Sequence, residues 1–144
     1  MPQRIEAPTR EDVNRIAHQL VHAEEVVFQA TGASLSGGKS DLALLQQALN
    51  SKLLEPEATY SLQALGVAFG KVFVENNEYY DWWMVEDEYG RDPAIRYKET
   101  TLLVFPQTMI SKRVEDGEAV DVCVMYEGLC KQLEEIRAEN YPGV

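Results

Sequence analysis

Apolar residues at helical spacing dominate the first third of the chain. A first helix is predicted over 10–30, with Thr9 as its N-cap and Gly32 as its stop. Its predicted apolar face is formed by five residues: Val13, Ile16, Ala17, Leu20 and Val27. Glu24 falls inside that arc, where a carboxylate is unexpected. This pattern predicts a helix that packs on a core through one side.

Two further helices follow a loop that is rich in Gly and Ser. A short helix is predicted over 41–50 and a longer one over 57–75. The longer helix is apolar around most of its circumference, which is typical of a central, buried helix. Gly66 and Gly70 lie one turn apart on its packing face, although each glycine costs a helix about 1 kcal/mol relative to alanine. We therefore expect another element to approach this helix very closely.

The pattern changes to strands in the middle of the chain. Three strands are predicted, over 79–85, 94–98 and 101–105. A polar turn over 86–92 and a short second connection make them an antiparallel meander. Pro106 starts a short helix that Asp116-Gly117 ends, and a final helix is predicted over 119–139. The predicted fold class is α+β, with a three-stranded antiparallel sheet packed against four to five helices.

Length and charge narrow the classes of protein. The 144 residues are predicted to form a single α+β domain over 1–144, with an N-terminal helical part over 1–58. The formal net charge of -11 argues against nucleic acid and anionic membranes as partners, since both require clustered Lys and Arg. An acidic protein instead attracts basic partners, although the charge also serves solubility.

The cellular location is predicted from absences and from the cysteines. No segment resembles a signal peptide or a membrane span, so a cytoplasmic location is expected. Cys123 and Cys130 are seven residues apart in the final helix, which places them about 10 Å apart, too far for a disulfide. Both are therefore predicted to be reduced, unless an exposed one bonds to another chain.

Several motifs over 60–136 resemble a known family. They are Leu62-Gln63-Ala64-Leu65-Gly66, Trp82-Trp83, the run from Asp87 to Ala94, Phe105-Pro106, and Met109-Ile110-Ser111-Lys112-Arg113-Val114. In their order and spacing the chain resembles the bacterial domain-of-unknown-function family 3806. The resemblance assigns 59–139 to that family and implies a bacterial source and a compact domain. It implies no activity and no catalytic residues.

Two motifs are typical of ligand sites but lie in an unfavourable context. Ala33 to Ser40 fits a relaxed phosphate-loop pattern, yet it follows a helix instead of a strand and begins with Ala. His18, His22 and Glu25 share one face of the first helix at metal-ligand spacing, but that face lies opposite the apolar stripe and is expected to be in water. We predict no metal site, no cofactor and no catalytic residue.

The candidate binding residues lie in the first hairpin. Tyr79 to Val85 projects large side chains from both faces of its strand, so an uncovered face would leave an aromatic anchor near solvent. A carboxylate cluster follows, in which Arg91 either neutralises its neighbours or takes part in a site. The candidate residues are Asp81, Trp82, Trp83, Glu86, Asp87, Glu88, Tyr89, Arg91 and Asp92.

Two hypotheses for function remain. The first is a non-catalytic binding protein with a basic protein partner, because residues 75–92 carry seven acids, one base and both Trp residues. An immunity protein, a small acidic inhibitor that neutralises a toxin, fits this pattern. The second is an enzyme or small-molecule binder with a pocket between sheet and helices, formed by Asp87, Glu88, Tyr89, Arg91 and Asp92 with Trp walls. The sequence does not fix the oligomeric state.

Overall fold

The computed structural model of the protein describes residues 2–144, which form five α-helices and one four-stranded antiparallel sheet. The strands, in spatial order, are β1 (Arg4–Glu6), β2 (Tyr80–Asp87), β3 (Gly90–Tyr97) and β4 (Leu103–Val104). The helices are α1 (Arg10–Thr31), α2 (Asp41–Asn50), α3 (Thr59–Asn76), α4 (Met109–Glu115) and α5 (Val122–Asn140). A 3-10 turn, Pro106–Thr108, precedes α4. The predicted α+β class is confirmed, but the predicted sheet lacked one strand.

The missing strand is β1, which pairs antiparallel with β2 and aligns Ile5 with Val85. Its three residues, two of them charged, are too few for an alternating pattern to predict a strand. The β2–β3 hairpin is also longer than predicted, because Glu86 pairs with Arg91 inside the ladder. Only Glu88 and Tyr89 remain in the turn, so the predicted polar turn over 86–92 was too long.

Helix α1 has the predicted ends but a rotated buried face. Thr9 and Asp12 form a reciprocal capping box, and Gly32 ends the helix with φ +76°. The buried residues are Asp12, Ile16, Gln19, Ala23, Val26 and Val27. Val13, predicted to be in the core, is 53% exposed, and Glu24 is exposed too. The predicted face was therefore partly wrong, because the side that docks on α3 includes two polar residues.

Helix α3 is the central element, as predicted, and its glycines admit close neighbours. A Cβ at Gly66 would lie 2.9 Å from the carbonyl oxygen of Gln107 and closer still to that of Pro106. A Cβ at Gly70 would lie 2.8 Å from the Trp82 ring. The expected close approach is confirmed, and the 3-10 turn makes it at Gly66.

All five helices and the strands β2, β3 and β4 share one apolar cluster. Phe69 and Phe73 of α3 are fully buried at its centre, with Tyr80 and Tyr97 packed near them. The smaller cluster around Met84 joins α1, α3 and β2. Within residues 2–144, no helix combines the length and the apolar character needed to cross a membrane.

Candidate functional site

The two tryptophans lie on opposite faces of the sheet. Tyr80, Trp82 and Met84 alternate onto the face that packs on the helices, and all three belong to or contact the apolar clusters. Trp83 alternates onto the other face, where the Arg96 guanidinium lies 4.5 Å from its ring centroid. Both indoles are partly buried, so neither is sealed in the core. Among the described residues, the apolar clusters include none from the face of Trp83.

Three acidic side chains share this face with Trp83 and Arg96. Asp81, Asp87 and Asp92 alternate onto it in the β2–β3 ladder, and Asp81 and Asp92 are exposed. At the end of the hairpin, Asp87 Oδ1 accepts a hydrogen bond from the Tyr89 backbone N–H at 2.8 Å, which fixes the turn. Tyr89 is 89% exposed. We call these residues and the turn the outer hairpin face: Asp81, Trp83, Asp87, Glu88, Tyr89 and Asp92.

Arg91 points to the helical side, where it pairs mainly with carboxylates of α1 and β1 and also lies near its neighbour Glu86. Its guanidinium binds the Asp12 carboxylate through Nε–Oδ1 at 3.1 Å and Nη2–Oδ2 at 2.6 Å. Its Nη1 donates to Glu6 at 2.7 Å and lies 3.7 Å from Glu86 Oε1. Glu86 in turn pairs with Arg4. The network therefore ties β3 to α1 and β1, and two of the predicted binding residues, Glu86 and Arg91, are structural members of it.

The Asp12 carboxylate is the centre of this network and is only 2% exposed. It accepts hydrogen bonds from Arg91, from the backbone and hydroxyl of Thr9, and from Arg15. Arg91 is the main reason that the pKa of Asp12 lies well below its usual range, and the Thr9 and Arg15 bonds add to this effect, while burial opposes it. The same pairing with Asp12 and Glu6 raises the pKa of Arg91. Both groups therefore stay charged at neutral pH.

A cavity of about 260 Å³ opens beside this network, between α1, the start of α3, β3 and the 3-10 turn. Its wall is formed by Asp12, Arg15, Ile16, His18, Gln19, Tyr60, Gln63, Met84, Arg91, Asp92, Pro93 and Gln107. Of the five residues predicted for a pocket, only Arg91 and Asp92 line it. Asp87, Glu88 and Tyr89 lie at the hairpin end, and neither Trp forms a wall.

Three glutamines also line the cavity. Gln107 Nε2 donates to Gln63 Oε1 at 3.3 Å, while Gln107 Oε1 is buried without a hydrogen-bond partner among residues 2–144. The Gln19 side chain makes no hydrogen bond within the described chain, but its amide is not closed off from solvent as Gln107 Oε1 is. Sequence reasoning missed these residues, because a lone glutamine carries neither charge nor motif. The one available signal was the position of Gln19 on the buried side of α1. The predicted apolar face was rotated away from that side, so Gln19 was not recognised.

Comparison with known proteins places this fold in a family. A family model described as a domain of unknown function (DUF3806) matches residues 41–126, which is more than half of the chain. The chain belongs to the DUF3806 family. This confirms the resemblance found in the sequence, although the match begins at α2 instead of near Tyr60 and ends at Tyr126.

A solved structure shows the same fold. The crystal structure of a protein from Bacteroides thetaiotaomicron VPI-5482 superposes with a TM-score of 0.85 over 92% of this chain, at 17% sequence identity. The chain spans 48% of the length of that protein. No curated protein matches the chain.

The outer hairpin face and part of the cavity wall lie within the residues that match the DUF3806 family. The whole outer hairpin face lies inside the matched residues, as do the cavity walls from α3, β3 and the 3-10 turn. The motifs that carry the resemblance have structural roles here: Gly66 admits Pro106, and this contact holds Gln107 beside Gln63. The α1 wall, with Asp12 and the other residues before 41, lies outside the match.

The segment that fits the relaxed phosphate-loop pattern binds a carboxylate of its own chain. Backbone N–H groups of Ser36 and Gly37 donate to the Asp41 carboxylate at 2.9 and 2.8 Å, and Asp41 is only 3% exposed. These are the donors that a phosphate would need. Lys39 lies 6.0 Å from the Tyr126 ring centroid, over its face. The segment therefore folds as a loop closed by its own carboxylate.

The two histidines of α1 lie in different surroundings. His18 is exposed at the cavity, whereas His22 is partly buried and its Nε2 lies 2.7 Å from Ser61 Oγ of α3. The expectation that this face lies in water is therefore wrong for His22. Glu25 lies 4.0 Å from His22 Nδ1. Among residues 2–144, no group of three or more His, Cys, Asp or Glu is placed to hold a metal ion.

Proposed function

We propose that this protein is a non-catalytic binding protein whose partner is a basic protein, held on the outer hairpin face. The observation that carries the proposal is Trp83, which is partly exposed on the sheet face away from the helices. Asp81 and Asp92 are exposed on the same face. A large aromatic residue inside a ring of polar groups is the usual composition of an interaction hot spot.

The distribution of charge supports a basic partner. Residues 75–92 contain seven acids and one base. The base, Arg91, is directed to Asp12 and Glu6 on the helical side, so it does not offset the acids of the outer hairpin face. Opposite charge on a partner would accelerate its encounter with this surface and fix its orientation, and salt would weaken both effects.

Packing against Arg96 orders the Trp83 side chain before any partner binds. The Arg96 guanidinium lies 4.5 Å from the ring centroid and limits rotation of the indole. A side chain that is already ordered loses less entropy on binding. The same geometry shows that this ring accepts a cation on its face, which is the interaction that Arg or Lys from a basic partner would make.

The proposal is tested by capture and matched variants. The immobilised chain would be exposed to bacterial lysate at low salt, and any retained protein would be purified and its affinity measured. We expect a basic protein whose binding falls with salt and falls at least tenfold for Trp83→Ala, as expected for a hot spot worth about 1.4 kcal/mol or more. The double variant Asp81→Asn/Asp92→Asn should slow association more than the control Glu55→Gln/Glu118→Gln, which changes net charge equally at exposed sites elsewhere.

Two outcomes would reject the proposal. One is that the retained proteins are not basic or bind Trp83→Ala as well as the parent. The other is that the two charge variants lose equal affinity, which would mean that net charge alone attracts the partner. An immunity-type inhibitor is the narrower form of the proposal, and it further requires that the captured partner be a toxin whose activity this chain blocks.

A further inference from the structure

We propose that His22 activates Ser61 as a nucleophile that accepts an acyl group from an ester, which makes Ser61 a site of covalent modification. His22 Nε2 of α1 lies 2.7 Å from Ser61 Oγ of α3. A serine hydroxyl alone is a weak nucleophile, and an imidazole within hydrogen-bond reach is the arrangement that activates it. Neither residue belongs to the outer hairpin face, so this site is separate from the surface proposed for a basic partner.

Glu25 favours the imidazole tautomer that can act as a base. His22 and Glu25 are three residues apart on α1, and Glu25 Oε2 lies 4.0 Å from His22 Nδ1. A carboxylate near Nδ1 stabilises a proton on that nitrogen, which leaves Nε2 able to accept the proton of Ser61. The Glu25 side chain is 71% exposed, so water screens its effect on the ring. The His22–Ser61 pair is therefore the reactive unit.

The start of α3 supplies hydrogen-bond donors beside the nucleophile. Ser61 lies in the first turn of this helix, whose N-terminus has no side-chain cap. Within residues 2–144, the backbone N–H groups of Tyr60 and Ser61 have no hydrogen-bond acceptor. Free N–H groups of a first helical turn carry partial positive charge and stabilise a developing oxyanion. An ester carbonyl attacked by Ser61 Oγ would develop its negative charge at this end of the helix.

The surroundings of the pair suit a small acyl group. His22 and Ser61 are both partly buried, and the His22 side chain is 32% exposed, so a reagent can reach it from solvent. The Tyr60 ring lies with its centroid 5.0 Å from that of His22 and is 53% exposed. This ring gives the carbon chain of an acyl group an apolar surface to pack on. Tyr60 also lines the cavity beside the ion network, which leaves space next to the pair.

The modification is a single acyl transfer. As Ser61 Oγ bonds to the carbonyl carbon of the ester, its proton moves to His22 Nε2. The bond between that carbon and the leaving oxygen then breaks, and His22 gives the proton to the departing alkoxide. The products are acyl-Ser61 and an alcohol, and no electrons are exchanged with a further reagent.

Reaction of the full chain with p-nitrophenyl acetate, and separately with a fluorophosphonate, tests this assignment without any partner present. Intact-mass spectrometry counts the groups that are added, and peptide mapping locates them. We expect one group per chain, on Ser61. Ser61→Ala should abolish this label, and His22→Gln should slow it about 100-fold, since general-base catalysis contributes about 10²–10⁴-fold. Glutamine at position 22 can still hydrogen-bond to Ser61, so the contact between the helices is retained while the base is lost.

Two variants control for nonspecific reaction. His18→Gln removes the other histidine of the chain, which is exposed, and Ser34→Ala removes an exposed serine; both should label at Ser61 as the parent does. Absence of a label on Ser61 with both reagents, or equal labelling rates for the parent and His22→Gln, would overturn the assignment. If Ser61→Ala does not fold, His22→Gln decides. Release of p-nitrophenol that continues beyond one equivalent through Ser61 would support the nucleophile and reject the non-catalytic part of the proposed function.

Discussion

A methyl group at position 66 probes the closest contact in the fold. In Gly66→Ala the new Cβ would lie 2.9 Å from the Gln107 carbonyl oxygen and closer to that of Pro106. Both neighbours are backbone atoms, so no side-chain rotation can relieve the clash and the 3-10 turn has to move. Such overpacking costs about 1–3 kcal/mol, whereas the gain in helix propensity is about 1 kcal/mol. We therefore expect Gly66→Ala to lose up to about 2 kcal/mol of unfolding free energy.

Gly128→Ala is a matched control, because Gly128 is also helical but would place its Cβ in open space. It should gain up to about 1 kcal/mol. Urea denaturation of both variants beside the parent measures the two signs, with equal m-values required for the comparison. If Gly66→Ala proves as stable as Gly128→Ala, the packing of the 3-10 turn on α3 is wrong.

Gly70, Asp12 and the two cysteines give three more predictions. Gly70→Ala should also destabilise, but less than the first variant, because its close contacts are side-chain atoms of Pro106 and Trp82 instead of backbone. Asp12→Asn should cost about 1–3 kcal/mol at neutral pH, since it weakens hydrogen bonds to a charged group. The low folded-state pKa of Asp12 contributes stability that is present above the unfolded-state pKa of about 4 and is lost as the pH falls below that value. The unfolding free energy of the parent should therefore fall more steeply on acidification than that of Asp12→Asn. A thiol reagent should modify Cys123, which is exposed, well before Cys130, whose pKa is raised by burial.

Each of these has a clear negative result. A Gly70→Ala variant more stable than the parent would contradict the Trp82 contact. Parallel acid-unfolding curves for the parent and Asp12→Asn would show that the carboxylate is not stabilised in the folded state. Equal labelling rates at the two thiols, followed by mass spectrometry, would mean that Cys130 is as accessible as Cys123.

Local signals predicted the helices well because their causes are local. Thr9 and Gly32 mark the ends of α1 through cap chemistry that a few adjacent residues determine. The glycines of α3 predicted a close neighbour, because two costly residues on an apolar face need a packing reason. What the chain could not show locally was the identity of that neighbour, Pro106, which lies 40 residues away from Gly66.

The candidate sites depended on contacts between distant segments, and prediction was weaker there. Arg91 stands among acids in the sequence, yet it pairs with Asp12 and Glu6, about 80 residues earlier. That choice arises because β1 and α1 meet the inner side of the hairpin, and β1 is too short and too charged to be recognised as a strand. Gln19 was missed for the same reason, because it lines the cavity only once α1 packs on the distant helix α3.

The ion network on the inner side of the hairpin is neutral and does not include the acids of the outer hairpin face. It gathers three arginines (Arg4, Arg15 and Arg91) and three carboxylates (Glu6, Asp12 and Glu86), so it is neutral as a whole. The net charge of -11 therefore lies entirely on the remaining residues. Asp81, Asp87 and Asp92 of the outer hairpin face take no part in this network, so its arginines do not offset their charge. High salt should for this reason weaken the binding of a basic partner on the outer hairpin face.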